Sequence, residues 1–247
     1  MATNFQGKVA LVTGGSRGIG AAIVQRLADG GATVAFTYKG SKAAAQDLVA
    51  RIQTSGGRAI ALHADAGDAA ALTQAVNDAA HQLGKIDILV NNAGVFSMAS
   101  VADLALEDFD RMLDVNVRAV FVASKAALAH MGEGGRIINI GSCNADRMPF
   151  AGGAAYAMSK AALVGLVKGM ARDLGPRGIT VNNVQPGPTN TDMNPAEGDF
   201  ATTMHDLMAL KRHARPEEIA SMVAYVASDE AGFVTGASLT IDGGFNA

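Results

Sequence analysis

The sequence predicts one α/β domain: a doubly wound parallel sheet of about seven strands with helices on both faces. Three observations lead there. Short β-branched runs alternate with longer stretches of helical periodicity. A glycine-rich turn joins the first such run to the first helix. No linker, repeat or low-complexity tract divides the 247 residues, so residues 1–247 read as a single domain.

Lys8–Thr13 reads as the first strand and Ile19–Asp29 as a helix closed by Gly30-Gly31. Thr33–Thr37 is the second strand, a helix runs from Ser41 to Ser55, and Arg58–Leu62 is the third strand. A helix over Asp68–Leu83 stops at Gly84. Ile86–Val90 reads as a strand buried on both faces. One long helical region covers Glu107–Met131, and the strand Arg136–Ile140 follows. The Ala-rich stretch Ala154–Asp173 is helical and ends at Gly175-Pro176, and Ile179–Val184 and Ser238–Ile241 are the last strands. Between those two, Gln185–Met204 is rich in Pro, Asn, Thr and Gly and reads as a mobile loop that closes over a bound molecule.

Hydrophobic residues make up 49% of the chain and charged residues 17%, enough for a large core and for some apolar surface covered by other subunits. The net charge of −3 and the absence of any Lys/Arg block argue against nucleic acid as a partner. A single cysteine, Cys143, fits a reducing compartment. The polar stretch Met1 to Gly7 and the short apolar run Val9 to Val12 give no signal peptide or membrane span, so a cytoplasmic protein is expected. His63, His81, His130, His205 and His213 are scattered, with no metal-binding spacing.

The first strand runs into Thr13-Gly14-Gly15-Ser16-Arg17-Gly18-Ile19-Gly20 and then a helix. Glycines there let the backbone approach a pyrophosphate that faces the helix N-terminus, as in Rossmann-type folds, although Gly-x-x-x-Gly-x-Gly is a variant spacing. NAD-binding versions place a carboxylate at the end of the second strand. Here Tyr38-Lys39-Gly40-Ser41 offers none, and Arg17, Lys39 and Ser41 are placed to meet a 2′-phosphate, so NADP (as NADPH) is expected. Tyr156 and Lys160, four apart, share a helix face, where an ammonium favours the phenolate and lowers the phenol pKa.

With Asn91-Asn92-Ala93-Gly94, Asn116, Ser142 and Pro186-Gly187 in the same order, the whole chain resembles the short-chain dehydrogenase/reductase family, close in style to bacterial 3-oxoacyl-carrier-protein reductases. The resemblance implies that Ser142 binds a substrate carbonyl oxygen and Tyr156 donates the proton. Lys160 would hold the nicotinamide ribose and tune Tyr156, and Asn116 would anchor a water leading to Lys160. Gly14, Ser16, Gly18, Ile19 and Gly20 would cradle the phosphates. Asp65 and Ala66 would meet adenine, and Asn92, Ala93 and Gly94 would fix the cofactor beside the central strands. Pro186, Gly187, Thr189 and Thr191 would seat the carboxamide, Thr189 through its backbone. Cys143, with no activating partner evident, reads as a buried thiol.

Candidate substrate-wall residues come from Phe96-Ser97-Met98, Asn144 to Phe150 and the loop Thr191 to Met208, with Phe96, Asn144, Met148, Phe150 and Met193 foremost; Met204 and Met208 serve equally well as wall or core filler. A small carbonyl or alcohol substrate is expected. Acyl-thioester reduction is narrower, with Lys211, Arg212 and Arg215 as the only cluster for an acidic carrier. The competing class is a regulator that binds a dinucleotide without turning it over. Relatives of this kind assemble as homotetramers through the two Ala-rich helical regions and the Gly243-Gly244-Phe245 end, and the same is expected here.

Overall fold

The computed structural model describes residues 4–247. Seven strands form one parallel sheet: β1 (Val9–Val12), β2 (Thr33–Tyr38), β3 (Arg58–His63), β4 (Ile88–Asn91), β5 (Arg136–Ile140), β6 (Thr180–Pro186) and β7 (Ser238–Ile241). Their order is β3-β2-β1-β4-β5-β6-β7, so the winding reverses between β1 and β4. That reversal opens a crevice above the carboxyl ends of the strands. The expected fold class is the one observed.

Alternating side chains along each strand feed two cores. Val12, Val34, Phe36 and Val90 pack under α1 (Gly18–Asp29), α2 (Lys42–Thr54) and α8 (Pro216–Ala227). Leu11, Leu89, Ile137 and Val181 face the other way, under α3 (Ala69–Leu83), α5 (Ala119–Ala127) and α6 (Ala154–Leu174). Each buried Leu, Val or Ile contributes roughly 1.5–3 kcal/mol, so these faces carry most of the stabilisation. Local signals set the ends of the helices. Asp68 caps α3 by accepting from the Ala70 and Ala71 amides at 2.9 and 3.0 Å, and Gly84 closes it in the left-handed region at φ 88°.

Two segments differ from expectation. The region Glu107–Met131 is not one helix: α4 (Leu106–Leu113) passes through a π-turn at Asp114–Arg118 into α5, which ends at Ala127. The wider turn places Asn116 inward, where it is fully buried. The stretch Gln185–Met204 is not all loop either. Gln185 and Pro186 extend β6, and α7 (Asp199–Leu207) begins within it. Helix α8 had start signals in Pro216, Glu217 and Glu218, and the Glu218 carboxylate accepts from the Arg215 amide at 2.8 Å. Its inner face is half alanine (Ala220, Ala224, Ala227), so the periodicity was faint, and only packing against α1 gives it a partner. The expected basic cluster is folded onto this helix start. Arg212 forks onto Glu218 at 2.7 Å through both nitrogens, and Lys211 donates to the Asp206 carbonyl.

Leu27 of α1 is fully buried in the core shared with α8. Leu27→Ala is expected to cost about 3 kcal/mol, through lost transfer energy and the cavity left behind. Urea denaturation followed by circular dichroism checks this; an unchanged midpoint contradicts the packing described.

Candidate active site

The crevice is a single cleft of about 630 Å³. Every catalytic and cofactor-site residue named from the sequence lines it except Asn116, which lies behind its wall.

At the switch point the phosphate loop is stapled to the end of β4. The Asn92 side chain donates to the Thr13 and Gly14 carbonyls at 3.0 and 2.9 Å, and Thr13 Oγ1 accepts from the Asn92 and Ala93 amides. Thr37 of β2 holds the other side, its hydroxyl accepting from the Gly14 amide at 3.0 Å. Gly20 must be glycine, because a Cβ there would stand 2.3 Å from the Gly14 carbonyl oxygen and 2.5 Å from Asn92 Nδ2. Gly14 and Gly18 take positive φ, 65° and 54°. No side chain caps the N-terminus of α1 and its first turn holds no acid, so its amides point into the cleft with no built-in anion. Ser16 and Ile19 complete the cradle. These features fit a dinucleotide pyrophosphate.

The adenosine end is ionic. Asp65 accepts Lys39 Nζ at 2.7 Å, a two-point fork from Arg111 at 3.1 and 3.2 Å, and the Gly67 amide at 2.9 Å. Burial alone would raise the Asp65 pKa, but the Arg111 and Lys39 bonds and the Gly67 amide hold it well below the usual carboxylate range. With four donors already on this carboxylate, an adenine amine has to displace one of them. Arg111 was not anticipated: it comes from α4, more than forty positions beyond the motif it serves (|i−j| = 46), and no local pattern marks it. Tyr38 stacks edge-on against His63, Ser41 keeps a hydroxyl unengaged in capping α2, and Ala66 follows Asp65 on the wall. Arg17 pairs across the cleft with Asp192 at 3.5 Å.

At the other end, Ser142 closes β5, and Tyr156 and Lys160 stand one turn apart on α6. Lys160 is 5% exposed and donates to the Ile140 carbonyl at 2.9 Å. Gly94 sits between Lys160 Nζ and Asn116 Oδ1, each 3.5 Å from where a Cβ would be. Asn116 accepts from the Val95 amide and donates to the Val95 carbonyl and Ser159 Oγ. Both its amide protons are used, so a water joining it to Lys160 meets only acceptors there and must itself donate.

The electrostatics revise one expectation. Burial pushes the Tyr156 phenol up to about 12, against a hydrogen bond with Ser142 that pulls it down. The ammonium is bonded to the Ile140 carbonyl, with Nζ 5.8 Å from the ring centroid, and does not reverse the shift. Lys160 itself is lowered to about 8 by the same burial. Cys143 is buried, and desolvation, with Asp242 nearby, raises its thiol to about 12; this fits an inert core thiol.

Pro186-Gly187 turns where a Cβ on Gly187 would meet Asp242 Cα at 2.6 Å. Thr189 Oγ1 folds back onto the Gly187 carbonyl at 3.0 Å, leaving its backbone to the cleft, and Thr191 packs its methyl towards Gly18. Phe96 lies edge-on to Tyr156, with centroids 4.9 Å apart. Asn144, Met148, Phe150 and Met193 complete the expected wall, and Met98, Glu197 and Phe200 join it from two of the three expected segments. Met204 lines the cleft as well as the core, whereas Met208 belongs to the core.

Residues 14–246 match a family model described as enoyl-(acyl carrier protein) reductase. The cyclic-di-GMP-binding biofilm dispersal mediator protein of Escherichia coli is 53% identical, over 98% of this chain and 99% of its own. The structure of a short-chain dehydrogenase/reductase from Serratia marcescens superposes with a TM-score of 0.97 at 62% identity, covering 98% of this chain and 99% of that one. A short chain dehydrogenase from Burkholderia cenocepacia, solved in complex with NADP, gives 0.97 at 56% identity, covering 99% and 100%.

The lowered Lys160 pKa has a stability consequence. The folded value, about 8, lies below the free value of 10.5, so burying the ammonium costs stability below pH 8, and the cost fades as pH rises towards 10.5. Lys160→Met is therefore expected to lose ground against the parent across that window, read from urea midpoints at several pH values. A difference independent of pH contradicts the assignment.

Proposed function

Because the chain belongs to the short-chain dehydrogenase/reductase family, we propose that it is an NADPH-dependent carbonyl reductase and alcohol dehydrogenase of the cytoplasm. The observation that carries the reading is the convergence of Ser142, Tyr156 and Lys160 at one end of a cleft whose other end is a phosphate cradle.

The cradle residues would hold the pyrophosphate on the α1 amides. Arg17, Lys39 and Ser41 would take the 2′-phosphate, and Lys39 and Arg17 leave their carboxylate partners to do so. Pro186, Gly187 and the Thr189 backbone would seat the nicotinamide, with Thr191 beside them. NADPH, when bound, supplies the hydride. Ser142 Oγ donates to the substrate carbonyl oxygen and fixes its position. Tyr156 delivers the proton: with a pKa pushed to about 12 it is protonated at neutral pH, and it remains far more acidic than the alcohol it forms. Negative charge developing on that oxygen is met by two donors in a partly dry site. Lys160, titrating near 8, is the proton reservoir behind Tyr156, and a water between it and Asn116 refills it.

A second reading is a dinucleotide-binding regulator, supported by the name of the Escherichia coli relative and by the cations Arg17, Lys39 and Arg111 along one cleft wall. The intact proton-donating set favours catalysis. Assembly as a homotetramer is proposed on the exposed small residues Ala161, Ala162, Gly165 and Gly169 of α6 and the half-exposed Phe121 of α5, which suit close helix approach. Phe245 is 2% exposed within the protomer, packed near Phe150, so the Gly243–Phe245 end would contribute mainly backbone.

Tyr156→Phe keeps the ring and deletes the donor. Turnover, measured as NADPH oxidation with a panel of ketones and aldehydes, should fall at least about a hundredfold while NADPH affinity changes little. Near-parental activity places the proton donor elsewhere, and no turnover of any carbonyl by the parent favours the regulator. Lys39→Ala should weaken NADPH more than NADH, read as a falling ratio of kcat/KM values; equal losses for both cofactors remove Lys39 from 2′-phosphate recognition.

A further inference from the structure

The chain leaves the Pro186-Gly187 turn, forms α7 and comes back to the same place. Ala214 closes the circuit: its amide donates to the Pro188 carbonyl at 2.8 Å, and its carbonyl accepts from the Asn190 amide at 2.9 Å. Helix α7 brings Phe200, Ala201 and Met204 to the cleft wall, so its position shapes the substrate half of the site. At its start Gly198 takes a left-handed φ of 95°, and no side chain caps the helix there. At its other end two histidines join the outgoing and returning limbs. His205, in the last turn of α7, meets His213, the neighbour of Ala214. Nε2 of the first and Nδ1 of the second are 2.7 Å apart, and the rings cross edge-on with centroids at 4.9 Å.

This pair has no room for an extra proton. His213 is 5% exposed, and its Nε2 is buried with no partner. A bare imidazole nitrogen is tolerated there, whereas a buried N–H without an acceptor is costly. The pair therefore has one good form: both rings neutral, with His213 Nδ1–H donating to His205 Nε2. A proton on His205 turns its Nε2 into a donor, so His213 has to accept through Nδ1 and carry its own hydrogen on Nε2. A proton on His213 puts a hydrogen on Nε2 directly. Either proton creates an orphaned N–H or parts the rings. Burial, and then the His205 ring, push the His213 pKa below the ordinary 6.5, the direction this demands.

None of the charged groups around the pair relieves that constraint. Helix α7 carries Asp199 and Asp206, and the returning limb carries Lys211, Arg212 and Arg215. Glu217 and Glu218 stand at the start of α8. Glu218 is taken up by Arg212 and Arg215, Lys211 donates to the Asp206 carbonyl, and Arg212 also donates to the His213 carbonyl. Ahead of α7, Asp192 pairs with Arg17 and Glu197 lines the cleft; Asp242 accepts from the Gly244 and Asn246 amides. Among the described residues, the side-chain hydrogen bond that reaches either ring is the one they share.

We propose that His205 and His213 are positioning residues, a hydrogen-bonded latch that holds α7 against residues 188–190 and that a proton opens. This rests on the reductase reading, in which α7 forms part of the substrate wall. With the latch open, α7 keeps only its Gly198 end and its apolar contacts, so substrate binds more weakly. Ser142 and Tyr156 stand on other elements and are undisturbed.

The test follows KM and kcat at saturating NADPH from about pH 7.5 to about pH 5, with a carbonyl that the parent reduces, in the parent, His213→Asn and His213→Leu. Lys160, titrating near 8, stays mostly charged across this window. The parental KM should rise at least about fivefold towards the acid end while kcat changes little, since a proton is linked to opening. Asparagine sets an amide where Nδ1 stands and turns to donate or to accept. His213→Asn should therefore keep the parental KM at neutral pH and lose the rise, and His213→Leu should show the raised KM throughout. A flat parental KM, an asparagine variant that keeps the rise, or a leucine variant with the parental profile overturns the latch. If no carbonyl is reduced, it is the reductase reading that has failed, and hydrogen exchange of the α7 amides still judges the latch. Corrected for the intrinsic rate, exchange should quicken at the acid end in the parent and not in His213→Asn; equal protection at both ends in the parent overturns the proposal.

Discussion

The Asn92 amide, bridging the Thr13 and Gly14 carbonyls, ties the phosphate loop to the end of β4 at the point where the sheet, joined there by the β1–β4 ladder, winds in opposite directions. Without it the phosphate loop would have two buried carbonyls to satisfy and no fixed distance to the end of β4. Gly20 packs directly on that bridge, so α1 starts where the bridge allows. Through the next residues of the same strand end, Gly94 and Val95, the geometry passes to Asn116, to Ser159 and on to α6. The phosphate-loop end and the Tyr156–Lys160 end are thus positioned through one short strand end and the hydrogen bonds it makes on either side.

Burial is what gives the reacting groups their character. A phenol driven to about 12 and an ammonium driven to about 8 are both displaced towards their neutral forms, the direction desolvation demands. In the proposed reduction a neutral phenol would be the competent acid, and an amine near its midpoint would exchange protons readily. At the far end the opposite holds: Asp65 stays ionised because Arg111 and Lys39 outweigh its desolvation. Charge is therefore kept at the end proposed to recognise a phosphate and removed at the end proposed for hydride transfer.

Much of the site was legible because its parts are local. Glycines at a strand–helix junction, a Tyr and a Lys four apart, and an Asn-Asn-Ala-Gly turn each satisfy a backbone or helix-face requirement within a few residues. Arg111 and Thr37 were not legible, since each acts across the fold on a group remote in sequence. The same holds for α8, whose alanine-rich face acquires a meaning only against α1.

The sequence by itself determined the order of the strands and of the helices up to β6, the placement of Ser142, Tyr156 and Lys160 in the family's order and the absence of an acid after β2, because periodicity, glycine placement and residue type are properties of short segments. Tertiary structure alone decided how far each ionisable group is buried, which carboxylate each cation meets before a ligand arrives, and which rings stand open in the cleft. Those quantities depend on distances between segments far apart in the chain, and desolvation and Coulomb energies exist only once the segments are packed.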